Sequence, residues 1–250
     1  MPDHDFNAPR IFVEDTLAEG GGFPLSVAHS NYLANVLRLA DGDAVLAFNG
    51  RDGEWRCTIA RASKKSLSLT PAERVRAQEP APDLHYLFAP LKAARLDYMI
   101  QKACEMGAGV LRPVMTQHTQ NPRFNLERAQ ANAVEAAEQC GILAVPRCAP
   151  VEKLAAVLEG WDPARRLFFC DERAESADPL PVIAAYRGEP LAVLIGPEGG
   201  FSRQESEMLL AYDFVTAISL GPRILRADTA AVAALAVVQA AAGDWATPSS

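Results

Sequence analysis

Residues 44–70 alternate between apolar and polar positions with a period of two, which is typical of antiparallel strands with one buried face. The pattern predicts three short strands and a hairpin turn between the first two: strands 44–48, 55–60 and 66–70, and turn 49–53. Upstream, residues 27–37 are predicted to form a helix with three inward-facing side chains, Leu33, Val36 and Leu37. The segment Glu79-Pro80-Ala81-Pro82 ends this pattern. We therefore expect a small β-barrel domain over residues 1–78.

Beyond this boundary, short apolar runs alternate with segments of helical period. The predicted strands are 84–89, 110–114, 167–170, 191–195 and 216–220. The predicted helices are 94–106, 125–140 with Asn125 as cap, 154–158, 180–186, 202–210 and a last helix to about 242. Ser202 and Glu205 form a capping box, and Asp228 or Thr229 is the expected cap of the last helix. Such alternation predicts an α/β domain over residues 79–250, with a parallel sheet covered on both faces.

Two glycine-rich loops follow the last two predicted strands: Ile195-Gly196-Pro197-Glu198-Gly199-Gly200-Phe201-Ser202 and Leu220-Gly221-Pro222-Arg223-Ile224-Leu225-Arg226-Ala227-Asp228-Thr229-Ala230. Both loops leave the carboxyl ends of their strands, the edge of an open α/β sheet where ligands bind, and we expect them at adjacent strand ends. Glycine lets a ligand approach the backbone closely. The sequence contains neither a P-loop nor a G-x-G-x-x-G motif, so the loops do not match a triphosphate or dinucleotide cradle. They suit a flat heterocycle.

These two segments resemble the signature of the RsmE-type methyltransferases, SPOUT-class enzymes that use S-adenosylmethionine (SAM) to methylate N3 of a uridine in 16S ribosomal RNA. The family pattern of the second segment is L-G-x-R-I-L-R-x-E-T-A, and the chain departs from it only at Asp228. Lys92 with residues 101–107, and residues 135–141, resemble two further family segments. Ile142 stands where the family usually has arginine. The resemblance covers about residues 8–243.

The resemblance implies a SPOUT-type parallel sheet with a C-terminal trefoil knot, and a PUA-like, RNA-binding β-barrel at the N-terminus. It also implies a homodimer that acts on 16S ribosomal RNA, within the small ribosomal subunit. SAM would bind bent in the knot, against residues of the two loops: Ile195, Gly196, Gly199, Gly200, Leu220, Gly221, Ile224 and Leu225.

The chemistry of N3 methylation suggests roles for the charged residues of the loops. Neutral uracil carries a proton on N3, which must be lost or its developing charge stabilised before N3 can attack. Arg223 and Arg226 are candidates to hold a uracil carbonyl oxygen as it gains charge. Glu198 is a candidate base, or alternatively an acceptor that holds the loop. Asp228 is expected to cap a helix or pair with an arginine.

The candidate RNA contacts are four cations: Arg10 and Arg38 in the first domain, and Lys92 and Arg123 in the second. The net charge is −7, with −1 on residues 1–78 and −6 on residues 79–250. A general nucleic-acid binder would be basic, so RNA binding must use local patches. Each of the four cations could equally be a solvated surface charge.

Composition points to a cytoplasmic protein without a metal site. Five scattered cysteines and four isolated histidines form no ligand cluster. The polar first five residues do not resemble a secretory signal. The longest apolar run, residues 230–238, is too short to span a bilayer, so we expect no membrane partner. Two other functions remain open: a SPOUT enzyme with another target, such as the 2′-oxygen of a tRNA ribose, and a non-catalytic RNA-binding protein of ribosome assembly.

Overall fold

The computed structural model describes residues 8–63, 66–121, 123–171, 173–174 and 178–246. The polar start of the chain, from which the sequence analysis argued against a secretory signal, lies outside these residues. The chain divides into two compact units. Unit 1 comprises residues 1–80 and 137–145, and unit 2 comprises residues 81–136 and 146–250. The sequence analysis predicted a single boundary between residues 78 and 79, and it did not predict that residues 137–145 belong to unit 1.

Unit 1 contains a five-stranded sheet in the order β1-β3-β4-β5-β2. Its elements are β1 (Arg10–Phe12), β2 (Phe23–Pro24), α1 (Val27–Asn31), a π-helical turn (Tyr32–Val36), β3 (Ala44–Phe48), β4 (Glu54–Ser63) and β5 (Ser66–Arg76). Strands β3, β4 and β5 pair antiparallel, as the period of two predicts. β4 and β5 extend beyond their predicted ends, and the very short β1 and β2 were not predicted because two or three residues carry no measurable period.

The predicted helix 27–37 changes geometry at its centre, from α-helix to a π-helical turn. A π-turn holds more residues per turn than an α-helix, so side chains beyond it rotate away from the α-helical register. Leu33 is fully buried and Leu37 is half-buried, but Val36, which was predicted to face inward, is 62% exposed. That part of the prediction is wrong.

A buried carboxylate lies between two arginines in unit 1. Glu54 is 2% exposed and accepts hydrogen bonds from Arg10 Nε and from Arg76 Nε at 2.7 Å. Arg76 Nη2 also donates to the carbonyl oxygen of Gly141 at 2.8 Å. Burial alone would raise the pKa of Glu54, but the bonds and charges of Arg76 and Arg10 outweigh it and hold this pKa below its ordinary value. Glu54 is therefore ionised in the folded unit.

Unit 2 contains a sheet of six parallel strands in the order β12-β10-β11-β6-β7-β8, with β9 paired to β7. Its elements are β6 (Leu84–Phe88), α2 (Ala93–Glu105), β7 (Val110–Met115), α3 (Leu126–Cys140, of which residues 137–140 are counted in unit 1), β8 (Arg147–Cys148), β9 (Glu152–Lys153), α4 (Leu154–Glu159), β10 (Arg166–Cys170), α5 (Pro179–Ala184), β11 (Leu191–Ile195), α6 (Arg203–Leu210), β12 (Val215–Ile218), α7 (Ala227–Ala241) and a 3₁₀ turn (Asp244–Ala246). The predicted parallel α/β sheet is confirmed. The trefoil knot stays a prediction.

The last helix differs from its prediction in two respects. Its N-cap is Arg226, which makes no side-chain capping bond, rather than Asp228 or Thr229. Ala227–Ala246 is also long and apolar enough to cross a membrane by length and composition, contrary to the sequence-based expectation. Within unit 2, however, α7 packs against α2, α5 and β11, and Leu235 and Val238 are fully buried. Its apolar character therefore has an explanation in core packing.

Candidate functional site

A cavity of about 210 Å³ opens at the carboxyl edge of the unit 2 sheet. Both glycine-rich loops line it, but β11 and β12 are not neighbours: β10 lies between them. The expectation that the loops follow adjacent strands is therefore wrong, and the end of β10 contributes Cys170 and Asp171 to the wall. Burial raises the pKa of the Cys170 thiol to about 12, so this thiol is neutral.

The first loop is shaped by its glycines and one aromatic ring. A Cβ on Gly196 would lie 2.5 Å from Cε2 of Phe201, whose ring packs edge-on against Phe169 with centroids 4.9 Å apart. Gly200 has φ +68°, which L-residues other than glycine rarely adopt, and its N–H donates to the Pro197 carbonyl at 2.9 Å. Glycine at these two positions is therefore a requirement of the loop itself.

The predicted capping box closes the first loop. Ser202 Oγ accepts from the Glu205 backbone N–H at 3.2 Å, and Glu205 Oε2 accepts from the Ser202 backbone N–H at 2.9 Å. The second carboxylate oxygen of Glu205 accepts from the Gln117 backbone N–H at 2.7 Å. Glu205 thus connects the start of α6 to the segment that follows β7, a contact the sequence pattern does not reveal.

The second loop leaves β12 through Gly221, whose φ is +99°. All eight residues predicted to contact SAM line the cavity, together with Arg223 and Glu198. Arg226 is exposed at the N-cap of α7 and is absent from the lining. Ile224 is 88% exposed at the cavity. The geometry brings the predicted cofactor residues together, and their contact with SAM stays a prediction.

Arg95 on α2, which the sequence interpretation missed, pairs with both motif segments. Its Nη1 donates to Glu198 Oε1 at 2.6 Å, and its Nε lies 3.9 Å from Asp228 Oδ2. Asp228 is thus an arginine partner, one of its two predicted roles. The carboxylate of Glu198 thus accepts its hydrogen bond from the Arg95 side chain, whereas the sequence analysis had considered the amides of its own loop as donors. No local pattern identifies Arg95, because α2 precedes the two loops by about a hundred residues.

His118 is a second residue that the sequence interpretation missed. Its Nδ1 lies 3.2 Å from the carbonyl oxygen of Gly199 and 3.1 Å from that of Gly200. The β carbon of His118 would be 3.4 Å from a Cβ on Gly199. The ring therefore packs against the backbone of the cavity loop, on the side of the segment after β7.

The four predicted RNA contacts have different surroundings. Lys92 is exposed at the N-cap of α2. Arg123 is exposed in the loop that follows Asn121, and Asn121 Nδ2 donates a hydrogen bond to the carbonyl oxygen of Leu91, after β6, at 3.0 Å. Arg38 is exposed in unit 1, with φ +59°. Arg10 is 9% exposed and paired with Glu54, which gives it a structural role in unit 1, and a contact of Arg10 with RNA stays a prediction.

Within the described residues, no group of three or more His, Cys, Asp or Glu side chains is arranged to hold a metal ion. The acidic groups that line the cavity are instead engaged by guanidinium groups. Asp171 Oδ1 accepts from Arg173 Nε at 3.1 Å, and Glu198 accepts from Arg95. Both carboxylates of the cavity wall are thus paired with arginines.

Comparisons with known proteins agree with this architecture. An RNA methyltransferase domain model matches residues 77–239, and an RNA methyltransferase PUA domain model matches residues 28–72. Ribosomal RNA small subunit methyltransferase E of Rickettsia conorii is 31% identical over 92% of this chain and 94% of its own length. The Bacillus subtilis protein of the same name is 28% identical over 92% and 95%.

Two solved structures share the fold. Ribosomal RNA small subunit methyltransferase E from Neisseria gonorrhoeae, bound to SAM, superposes with a TM-score of 0.85 at 23% identity, covering 93% of this chain and 97% of that one. A Legionella pneumophila protein solved in complex with SAM superposes with a TM-score of 0.84 at 27% identity, covering 94% and 98%.

Proposed function

The chain belongs to the RNA methyltransferase family of ribosomal RNA small subunit methyltransferase E, and on this premise we propose that it methylates N3 of a uridine in 16S ribosomal RNA with SAM as donor. The observation that carries the proposal is the cavity between the two glycine-rich loops. All eight predicted cofactor residues line it, and the relatives of this fold include proteins solved with SAM.

The cavity suits an adenosyl group because both glycine-rich loops line it and supply apolar residues beside their glycines. Gly196 and Gly221 have no Cβ, so a flat heterocycle can approach the backbone of both loops closely, and the apolar side chains of Ile195, Leu220 and Leu225 belong to residues that line the same cavity. When bound, SAM supplies an activated methyl group. The protein's own task is to hold the uracil in line with that methyl group and to stabilise the charge that develops on the base.

Arg223 and Arg226 are the proposed partners of the uracil carbonyl oxygens. Arg223 lines the cavity and Arg226 stands exposed at the start of α7. Arg226 therefore reaches a base placed outside the cofactor cavity rather than the cofactor itself. Glu198 remains a candidate proton acceptor from the sequence, but its bond to Arg95 favours the role of holding the first loop.

RNA binding is proposed for exposed cations in both units: Arg38 in unit 1, and Lys92 and Arg123 in unit 2. Because the net charge is −7, the overall charge of the chain does not attract RNA, and binding depends on local contacts of these cations with phosphates. The proposed partner is the small ribosomal subunit. We propose a homodimer, because a second copy of the chain would cover the exposed side chain of Ile224. We also propose a cytoplasmic location, because a ribosomal substrate and five free thiols are expected there.

Two measurements test the function. Calorimetry with SAM is expected to show binding to the purified chain, whereas a non-catalytic assembly protein with a degenerate site would show none. Mass spectrometric mapping of RNA after incubation with SAM is expected to place one new methyl group on N3 of a uridine in 16S ribosomal RNA. A methyl group on a tRNA ribose 2′-oxygen would instead support the alternative SPOUT activity.

A further inference from the structure

Methylation at N3 requires a group that accepts the N3 proton, and the charged residues of the cavity are poorly placed for this. The two carboxylates of the lining, Glu198 and Asp171, each accept a hydrogen bond from an arginine. The guanidinium group of Arg223 carries hydrogen-bond donors and no acceptor. The Cys170 thiol, with a pKa of about 12, is neutral and buried.

His118 lies next to the cavity loop, in a turn whose backbone is fixed by hydrogen bonds. Thr116 N donates to Thr119 Oγ1 at 2.9 Å, and Thr119 N donates to the Thr116 carbonyl at 3.2 Å. Gln117 N donates to Glu205 at the start of α6. The residue between these anchors is His118, so the backbone that carries the imidazole is fixed on both sides.

The contacts of His118 determine which ring nitrogen carries the proton. Carbonyl oxygens only accept hydrogen bonds, so Nδ1, which faces the carbonyls of Gly199 and Gly200, must be the protonated nitrogen of the neutral ring. Nε2 then presents a lone pair, and within the described residues no hydrogen bond occupies it. A backbone carbonyl on Nδ1 is the arrangement that leaves Nε2 free for proton transfer.

We propose that His118 Nε2 accepts the N3 proton of the target uracil, while its Nδ1–H holds the Gly199–Gly200 backbone in its cofactor-binding shape. The proton moves from N3 to Nε2, and the electron pair of the N–H bond stays on N3. N3 forms a bond to the methyl carbon as the carbon–sulfur bond breaks, leaving S-adenosylhomocysteine. The imidazolium then returns its proton to water, which its exposed position permits. The inference rests on the proposed N3 activity.

The test separates the two functions of the ring. In His118→Asn the amide Nδ2–H₂ can replace the Nδ1–H donor, but the side chain cannot accept the proton. SAM affinity by calorimetry is expected to stay within about threefold of wild type, while single-turnover methylation at saturating SAM falls about 10²-fold, the lower end of general-base contributions. His118→Ala is expected to lose SAM affinity as well, and added imidazole is expected to recover part of its rate.

Nitrogen NMR of the imidazole supplies a readout that does not depend on activity: the free protein is expected to carry the Nδ1–H tautomer. An Nε2–H tautomer, or an asparagine variant with a wild-type rate, would overturn the inference. Gln117→Ala, which keeps the backbone bond to Glu205, serves as the matched control. If the wild-type protein methylates no uridine N3, the proposed function fails; if it does and His118→Asn remains fully active, only the inference fails.

Discussion

Replacing Glu54 with glutamine is expected to destabilise unit 1 by about 3 kcal/mol. The carboxylate accepts three hydrogen bonds from two guanidinium groups, from Arg10 Nε and from Arg76 Nε and Nη2, and is 2% exposed. Removing one partner of a buried ion pair costs about 3–5 kcal/mol, because the remaining charge is left uncompensated. Glutamine keeps one oxygen acceptor, which places the estimate at the lower end. For a unit of this size the loss corresponds to a Tm lower by roughly 12 °C or more.

Urea unfolding followed by fluorine NMR of 5-fluorotryptophan measures this loss within unit 1, because Trp55 lies on β4 while Trp161 and Trp245 lie in unit 2. Glu73→Gln, an exposed carboxylate on the neighbouring strand β5, is the control and should change stability by less than about 0.5 kcal/mol. A loss for Glu54→Gln no larger than that of the control would refute the reasoning.

The same variant has an expected pH dependence. Because the folded-state pKa of Glu54 is lowered, its ionisation stabilises the fold fully above the ordinary glutamate pKa of about 4.3. That contribution is lost as the pH falls through the folded-state pKa. The stability gap between wild type and Glu54→Gln should therefore be full at pH 7 and narrow below about pH 4. A gap that stays constant down to pH 3 would show that the charge of Glu54 is not its source.

Four further outcomes follow from the site. Gly221→Val should abolish SAM binding in calorimetry while the protein stays folded by circular dichroism, because valine is strained at φ +99°; wild-type affinity would contradict this. Arg226→Ala should lower single-turnover rates about 10²-fold with little change in SAM affinity, and Arg226→Lys should recover part of the rate; parallel losses of affinity and stability would indicate a structural role. Lys92→Ala and Arg123→Ala should each reduce the slope of log K against log salt for RNA binding by about 0.7–0.9; an unchanged slope would exclude a phosphate contact. Light scattering at micromolar concentration should give a dimer mass, and a monomer would refute the proposed homodimer.

Local sequence patterns determined the longer strands and helices of this protein and the two loops that line its cavity. A period of two predicted β3–β5, and apolar runs alternating with amphipathic segments predicted the parallel sheet. Both predictions were possible because burial of one or both faces of an element determines which of its consecutive residues are apolar. The capping box of Ser202 and Glu205 was predicted because both of its bonds lie within one turn. The glycine loops were recognisable since their backbone conformation depends on residues within the loops themselves.

The tertiary structure alone decided which distant side chains meet. The order of strands placed β10 between β11 and β12, and it brought Arg95 to Glu198 and His118 to the Gly199 and Gly200 carbonyls. Folding likewise enclosed Arg10 with Glu54, where the sequence had indicated an RNA contact. Such pairings leave no periodic signal, because they depend on which strands become neighbours, and partners separated by tens of residues can meet only once the sheet order is set.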